Sequence, residues 1–428
     1  MGKIRRGTLF QAAMVCGMAM MAGAAQATEG YFQLGFGPRQ NAVGGAGVAD
    51  SRDAMAMALN PAGIAGMGEE FQLGAALFMP FRGYDASGTL LIAPGSGSVD
   101  SDVNLFAIPN IAYTRPIDSD STIGISLYGN GGMNTTYANL ANTQPFCPPG
   151  GSGVYCGGKA GVDLMQAFLS VDYAHDFGGI KVGIAPTLVV QRFKANGLAA
   201  FAPGSMYPGS LTNRGYDYSV GAGLKAGAEI ELADWLRLGV AGQTKMYMTR
   251  FSKYNGLYAE NGKFDVPASV SAGLAADVSP DVTLMLDYQH IFYEGVPAVS
   301  NSSNLPTLLG SKKGRGFGWN DVDVFKVGAE WRVDEQWTLR AGYAYSTNPV
   351  NSADVTFNIL APGIVQHHIT GGAAYKFTDQ DTIEFSGMFV PDMKVSGLEV
   401  TPLGPTAGSN IELHMYQVQL LAGWTHEF

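Results

Sequence analysis

Past its first thirty residues the chain has no run of eighteen apolar residues, although 46% of it is hydrophobic. A helical membrane protein needs several such runs, so that class is excluded. Charge is scarce at 14%, and it is one-sided, with 26 basic residues against 36 acidic. An acidic balance argues against nucleic acid as a partner. Histidine is rare too. The six residues at 175, 290, 367, 368, 414 and 426 never fall in an H-E-x-x-H spacing, and no G-x-S-x-G occurs. A zinc protease and a nucleophile elbow therefore lack support. Gly153–Lys159 has a superficial phosphate-loop look but lacks the following Ser or Thr. Asp172 with His175, and Asp287 with His290, stand three apart, which on a strand points them to opposite faces. An enzyme is not expected, and neither a cofactor nor a metal is.

What is present starts with the ends. Lys3, Arg5 and Arg6 precede an apolar stretch from Leu9 to Ala25, and Ala25-Gln26-Ala27 follows as an A-x-A site. This reads as a secretory signal peptide over 1–27, with Thr28 starting the mature chain. Its removal leaves 23 basic residues against 36 acidic, net −13. Two of the three cysteines remain, Cys147 and Cys156, in a Pro- and Gly-rich loop. In an exported chain so close a pair reads as a disulfide, with two free thiols as the alternative.

Abundant glycine (58 residues) and 11% aromatics suit apolar residues placed at every second position. In 281–291, Val282, Leu284, Leu286 and Tyr288 share one face and Thr283, Met285, Asp287 and Gln289 the other. In 336–346, Trp337, Leu339, Ala341, Tyr343 and Tyr345 oppose Gln336, Thr338, Arg340, Gly342, Ala344 and Ser346. Period two over ten residues means strand. Arg340 is costly facing lipid but tolerable facing a lumen.

Read this way, strands fall near 70–82, 103–117, 121–136, 162–176, 179–195, 214–232, 235–252, 263–278, 281–293, 319–333, 336–348, 363–377, 380–394 and 409–428. Their number, about fourteen, is even, as in bacterial barrels. Tight connections at 118–120, 177–178, 233–234, 279–280, 334–335 and 378–379 alternate with long ones near 137–161, 196–213, 294–318 and 395–408. Short turns on one side and long outer loops on the other are the barrel asymmetry. The fold class is thus an all-β transmembrane antiparallel barrel over 69–428, in the bacterial outer membrane. The last strand alternates from Tyr416 to Phe428 and ends on that aromatic residue. Such an ending resembles the signal read by the barrel-assembly machinery, an expected partner along with outer-membrane lipid and lipopolysaccharide. The chain is expected to be a monomer.

Residues 28–68 lack the alternation. They carry one helical stretch near Asp53–Leu59, stopped by Asn60-Pro61, because a residue before proline avoids the α region. This part reads as a hatch, a plug in the lumen.

Three hatch segments, Glu29-Gly30-Tyr31-Phe32-Gln33-Leu34, Ala46-Gly47-Val48-Ala49 and Asn60-Pro61-Ala62-Gly63, resemble the hatch of the long-chain fatty acid and aromatic-hydrocarbon outer-membrane transporter family. The likeness continues in Pro267-Ala268-Ser269, Trp337–Tyr343 and His368–Tyr375. It implies a fourteen-stranded plugged barrel for passive uptake of hydrophobic small molecules. Ligand would be captured at outer loops and pass to a pocket at the hatch N-terminus. It would leave sideways through a gap at a kinked third strand.

On this chain the implied ligand contacts are Tyr31, Phe32 and Leu34. In the outer loop 196–213 they are Phe201, Met206 and Tyr207, with Leu198 and Leu211 also oddly apolar there. Gly129-Asn130-Gly131-Gly132 in the third strand would allow the kink, since interior glycines permit a bulge. Asn60, Pro61 and Ala62 would form a corner bridging hatch and kink. Arg39, Lys159, Arg192 and Arg250 are candidates for a ligand carboxylate. Competing readings are an outer-membrane lipid hydrolase and an adhesin-type structural barrel.

Overall fold

The computed structural model describes residues 28–428, so the signal-peptide reading lies outside the described residues. Fourteen long strands form one antiparallel sheet that closes on itself. They are β1 (Glu70–Ser87), β2 (Phe106–Pro116), β3 (Ser121–Asn134), β4 (Gly161–Asp176), β5 (Ile180–Asn196), β6 (Asp217–Ala233) and β7 (Leu236–Gln243). The second half is β8 (Ser269–Ser279), β9 (Val282–Ile291), β10 (Val322–Arg332), β11 (Trp337–Ser346), β12 (His367–Lys376), β13 (Asp381–Gly397) and β14 (Asn410–Glu427). Sequence neighbours pair throughout. β14 pairs with β13 and also with β1, from Glu70 opposite Glu427 to Ser87 opposite Asn410. Closure leaves no sheet edge in lipid, where an unpaired backbone group has no water to turn to. Among the described residues no helix is long and apolar enough to cross a membrane.

The alternation sorts side chains as expected. Leu284, Leu286 and Tyr288 face outward, while Thr283, Met285 and Asp287 are buried toward the lumen. Arg340 is buried and paired with Glu330 and Glu384. Four of the five tryptophans, Trp235, Trp331, Trp337 and Trp424, are exposed near the short turns, forming an aromatic girdle at that interface. The fifth, Trp319, is only 1% exposed and lies inside the barrel.

Several boundaries differ from expectation; β8, expected from 263, begins at Ser269. β1 runs on to Ser87 and β2 begins only at Phe106, leaving a further long connection between them. β7 stops at Gln243 rather than near 252, because the chain bulges and only Tyr247–Met248 rejoins β6. β12 begins at His367, so residues 347–366 form another long loop, with a short helix at Val355–Asn358. The Cys147–Cys156 disulfide is formed, inside the loop between β3 and β4.

The hatch, residues 28–68, fills the lumen. Asp53 caps the 3₁₀ turn Ala54–Ala58, accepting from the Ala56 N–H at 2.9 Å. Asn60 ends that turn and caps the next, Pro61–Ile64, accepting from the Ala62 N–H at 3.1 Å. A short helix, α1 (Gly37–Ala42), was not legible in the alternation. Facing the hatch, the barrel wall is bare glycine. A Cβ on Gly183 would strike Pro61, on Gly227 Asn60, on Gly239 Val48, on Gly342 Val43, and on Gly423 the ring of Pro38. Glycine in a strand here marks close backbone approach by the plug.

Candidate functional site

The hatch meets the barrel in two regions. At its base, toward the short turns, buried charges interlock. Arg39 pairs with Asp50 and lies 3.0 Å from Glu330. Arg340 reaches Glu330 at 2.8 Å and Glu384 at 2.6 Å. Arg237 joins Asp50 at 2.8 Å to Asp277 at 2.6 Å. The Asp287 carboxylate accepts from the Gly47 and Val48 N–H groups at 2.8 and 2.9 Å. Apart from Asp287, which rests on those two N–H groups, every charge in this set has an opposite neighbour, which is what makes burying it tolerable. Arg39 is therefore spent on the plug, not free for a ligand.

At its tip, toward the outer loops, the hatch enters an aromatic cluster. The Tyr31 ring lies 5.2 Å from Tyr293, 5.6 Å from Phe32, 5.9 Å from Phe264 and 6.0 Å from Trp319, centroid to centroid. The Tyr293 hydroxyl donates to the Glu29 carbonyl at 2.6 Å and accepts from the Tyr31 N–H at 3.0 Å. Tyr31, Phe32 and Leu34 are all buried. Among the described residues the tip holds one ion pair, Glu29 to Lys326 on β10 at 2.9 Å. Phe264, Tyr293 and Trp319 were missed by sequence reasoning. They sit in long loops that fold back into the barrel, and the aromatic density of 251–264 and 292–319 was the available signal.

The third strand carries a bulge. Its register against β4 shifts between Gly129 and Gly131, leaving Asn130 as the extra residue. Pairing with β2 ends at Asn110 opposite Tyr128, whereas pairing with β4 continues to Asn134 opposite Asp163. Above Tyr128, β3 thus has a free edge on its β2 side, and the hatch tip takes up part of its backbone bonding. The Gln33 N–H donates to Asn130 O and the Gly132 N–H to Tyr31 O, each at 3.2 Å, and Gln33 Nε2 donates to Gly129 O at 2.5 Å. A Cβ on Gly131 would strike the Tyr31 carbonyl, so only glycine admits the tip there. Arg82 on β1 spans the missing stretch of β2, donating to Asn134 O at 2.7 and 3.0 Å. A small cavity lined by Trp319, Gly132, Met133, Phe78 and Arg82 sits at the inner mouth of this break. A larger depression of about 380 Å³, which shares Asn134 with it, opens outside.

The corner at Asn60 differs from expectation. Its amide nitrogen donates to Val48 O at 2.7 Å and to Ala228 O at 3.2 Å, so it bridges the hatch to β6 and not to the kink. Pro61 and Ala62 press on Gly183 of β5. The reason is steric: bare glycine backbone on β5 and β6 lets the corner seat there.

The outer loops hold a cavity of about 210 Å³ lined by Phe201, Pro203, Leu309, Phe357, Val400 and Arg315. Leu198 and Leu211 are buried but do not line it, and Met206 and Tyr207 stay 45% and 41% exposed, also outside its lining. Arg250 donates to a loop carbonyl, that of Glu260, at 3.0 Å. Lys159 and Arg192 line the outer depression beside the break in the wall.

Comparison with known proteins places this architecture. A P. putida toluene transporter, TodX, superposes with a TM-score of 0.68 at 16% identity, covering 92% of this chain and 99% of that one. A Pseudomonas aeruginosa FadL homologue gives 0.68 at 16% identity, over 93% and 100% of the two chains. The Ralstonia pickettii toluene transporter TbuX gives 0.61 at 18%, over 92% and 99%. Identities this low establish the shared fold. No curated protein matches the sequence. Residues 14–401 do match the model of one family, described as outer membrane protein transport protein (OMPP1/FadL/TodX). With a closed fourteen-stranded barrel, an internal hatch and a match over most of its length, the chain belongs to that outer-membrane transport family.

Proposed function

We propose that this protein carries hydrophobic small molecules, long-chain fatty acids or aromatic hydrocarbons, passively across the outer membrane, releasing them sideways through the wall. The observation that carries the reading is the seating of the hatch tip on the bulged edge of β3. The same short segment, Tyr31–Gln33, fills the aromatic cluster and covers the unpaired strand edge. A ligand that takes the place of Tyr31 among Phe264, Tyr293 and Trp319 also strips Asn130 and Gly132 of their partners. Pocket and gap are thereby coupled through one moving part. Capture begins at the outer cavity around Phe201 and Phe357, whose apolar lining suits a greasy solute. Trp319 belongs both to the cluster and to the small cavity at the inner mouth of the break, so the two adjoin. The named transport substrate of two structural relatives, toluene, fits an aromatic lining.

The test is the double substitution Gly131→Pro with Gly132→Val, which fills the break without touching the base. Uptake of labelled ligand by intact cells should fall to background, while the folded barrel keeps its heat-modifiable mobility on gels. Unchanged uptake by that folded variant rules out the lateral route.

A further inference from the structure

The depression outside the wall break is basic, and its height on the barrel says what it faces. On the outward face of β5, Ile180, Val182, Ile184 and Leu188 are exposed and apolar, Pro186 and Val190 continue the face, and Arg192 and Lys194 follow. From Ile180 to Val190 is roughly 33 Å of strand, which at a tilt of about 40° covers about 25 Å of bilayer, the height of the apolar band. Arg192 and Lys194 therefore emerge where hydrocarbon gives way to outer-leaflet headgroups.

The two cations share one aromatic ring. Tyr216 lies beneath both, with the Arg192 guanidinium 4.4 Å and the Lys194 ammonium 4.5 Å from its ring centre. The Tyr216 hydroxyl is anchored on Asp163 at 2.6 Å, and Asp163 lies 3.7 Å from Arg192. Lys159 completes the lining, which holds three cations against one carboxylate, a surplus of two positive charges. Val103 and Leu105, both exposed, border the same depression on its β2 side and offer an apolar flank.

We infer that this depression binds a phosphorylated headgroup of the outer leaflet, a lipid A phosphate of lipopolysaccharide, at the mouth of the wall break. A guanidinium stacked on a ring presents a planar fork to phosphate oxygens, and an ammonium beside it adds a second charge. The acyl chains would lie along Val103, Leu105 and Leu188. The inference rests on the outer-membrane position of the barrel and not on the proposed uptake route.

Native mass spectrometry of the detergent-solubilised barrel, titrated with bis-phosphorylated lipid A, tests it. Wild type should hold the phosphorylated lipid at least tenfold more tightly than lipid A stripped of phosphate. R192E/K194E should lose that preference. The milder R192Q/K194Q should lose most of it and guards against a folding defect in the reversal. Equal binding of the two lipids by wild type overturns the proposal. So does palmitate displacing the phosphorylated lipid at equal concentration, because the site would then serve cargo carboxylates. Uptake lost in the Gly131→Pro/Gly132→Val variant with lipid binding intact leaves this inference standing. Lipid binding absent with uptake intact sinks it alone.

Discussion

At its base the hatch meets the barrel through a network of paired charges and glycine backbone; at its tip it meets the barrel through aromatic rings, a few backbone bonds and a single ion pair. The base contacts come from nearly every side of the barrel, with α1 against β11, β12, β13, β14 and β1 and the Asn60 corner against β5 and β6. Those at the tip converge on one bulged strand, on Lys326 of β10 and on loops. Interlocked charges and close backbone packing have no intermediate geometry, so the base is built to stay. Stacked rings can be exchanged for another apolar solute at little cost, because a ligand restores the area it displaces. A plug anchored at one end and exchangeable at the other is what a gated path needs.

The largest effect should come from the glycine seat of the base. Gly342→Val drives a side chain into the Val43–Gly44 backbone. Overpacking of this kind against main chain costs about 3 kcal/mol, the upper end of the usual range, and the expected result is loss of folded, heat-modifiable barrel. Gly387→Val on β13 meets nothing closer than 3.7 Å and should fold normally. If both variants fold equally well, the glycine belt is not a seat. Next comes Arg340→Ala, which leaves Glu330 and Glu384 short of a buried cation. Removing one partner of such a set costs about 3–5 kcal/mol, read as a drop in the denaturation midpoint. Tyr293→Phe acts on the tip alone. It removes the hydroxyl between Glu29 O and Tyr31 N, about 1 kcal/mol, so amide exchange over residues 29–34 should quicken roughly fivefold with no change at 39–50.

These contrasts explain how much could be read in advance. Period-two alternation was visible because each strand faces lipid on one side, so fourteen strands and the tight turns at 118–120 or 334–335 were legible. The bulge at Asn130 was legible because three glycines surround it. α1 was not, since six residues beginning Gly37-Pro38 have no room for a helical period. The inward loops were not either: nothing local tells Trp319, which is packed on Tyr31, from Trp337, which sits in the girdle. Only the return of 292–321 into the lumen separates them. Asn60 was placed at the right kind of corner but against the wrong strand, because a turn fixes geometry nearby and not which wall it touches.

The smallest predicted effect falls in different pH windows at the two ends. Burial raises the Glu29 carboxyl at the tip to about 7 from its usual 4.5, against the pull of Lys326. Burial also pushes Asp50 up at the base, but Arg39 and Arg52 outweigh it and hold its carboxyl below the ordinary range. A docked tip therefore binds more protons than a released one between about pH 4.5 and 7. Its docking is favoured on the acid side and weakens as pH rises through that window. Asp50 binds fewer protons when docked, so its own contribution is full above the ordinary Asp range and fades on acidification below it, whereas burial raises its neighbour Asp53 to about 6, which runs the other way up to that pH. Amide exchange measured from pH 4 to 8, corrected for the intrinsic pH dependence, should show residues 29–34 growing less protected with pH. Residues 39–50 should hold steady above about pH 6, once Asp53 is ionised. Glu29→Gln should flatten the first trend and leave the second alone. The same trend at both ends above about pH 6 would mean that the tip and the base move as one body, and the coupling of pocket to gap would then need the whole plug to shift.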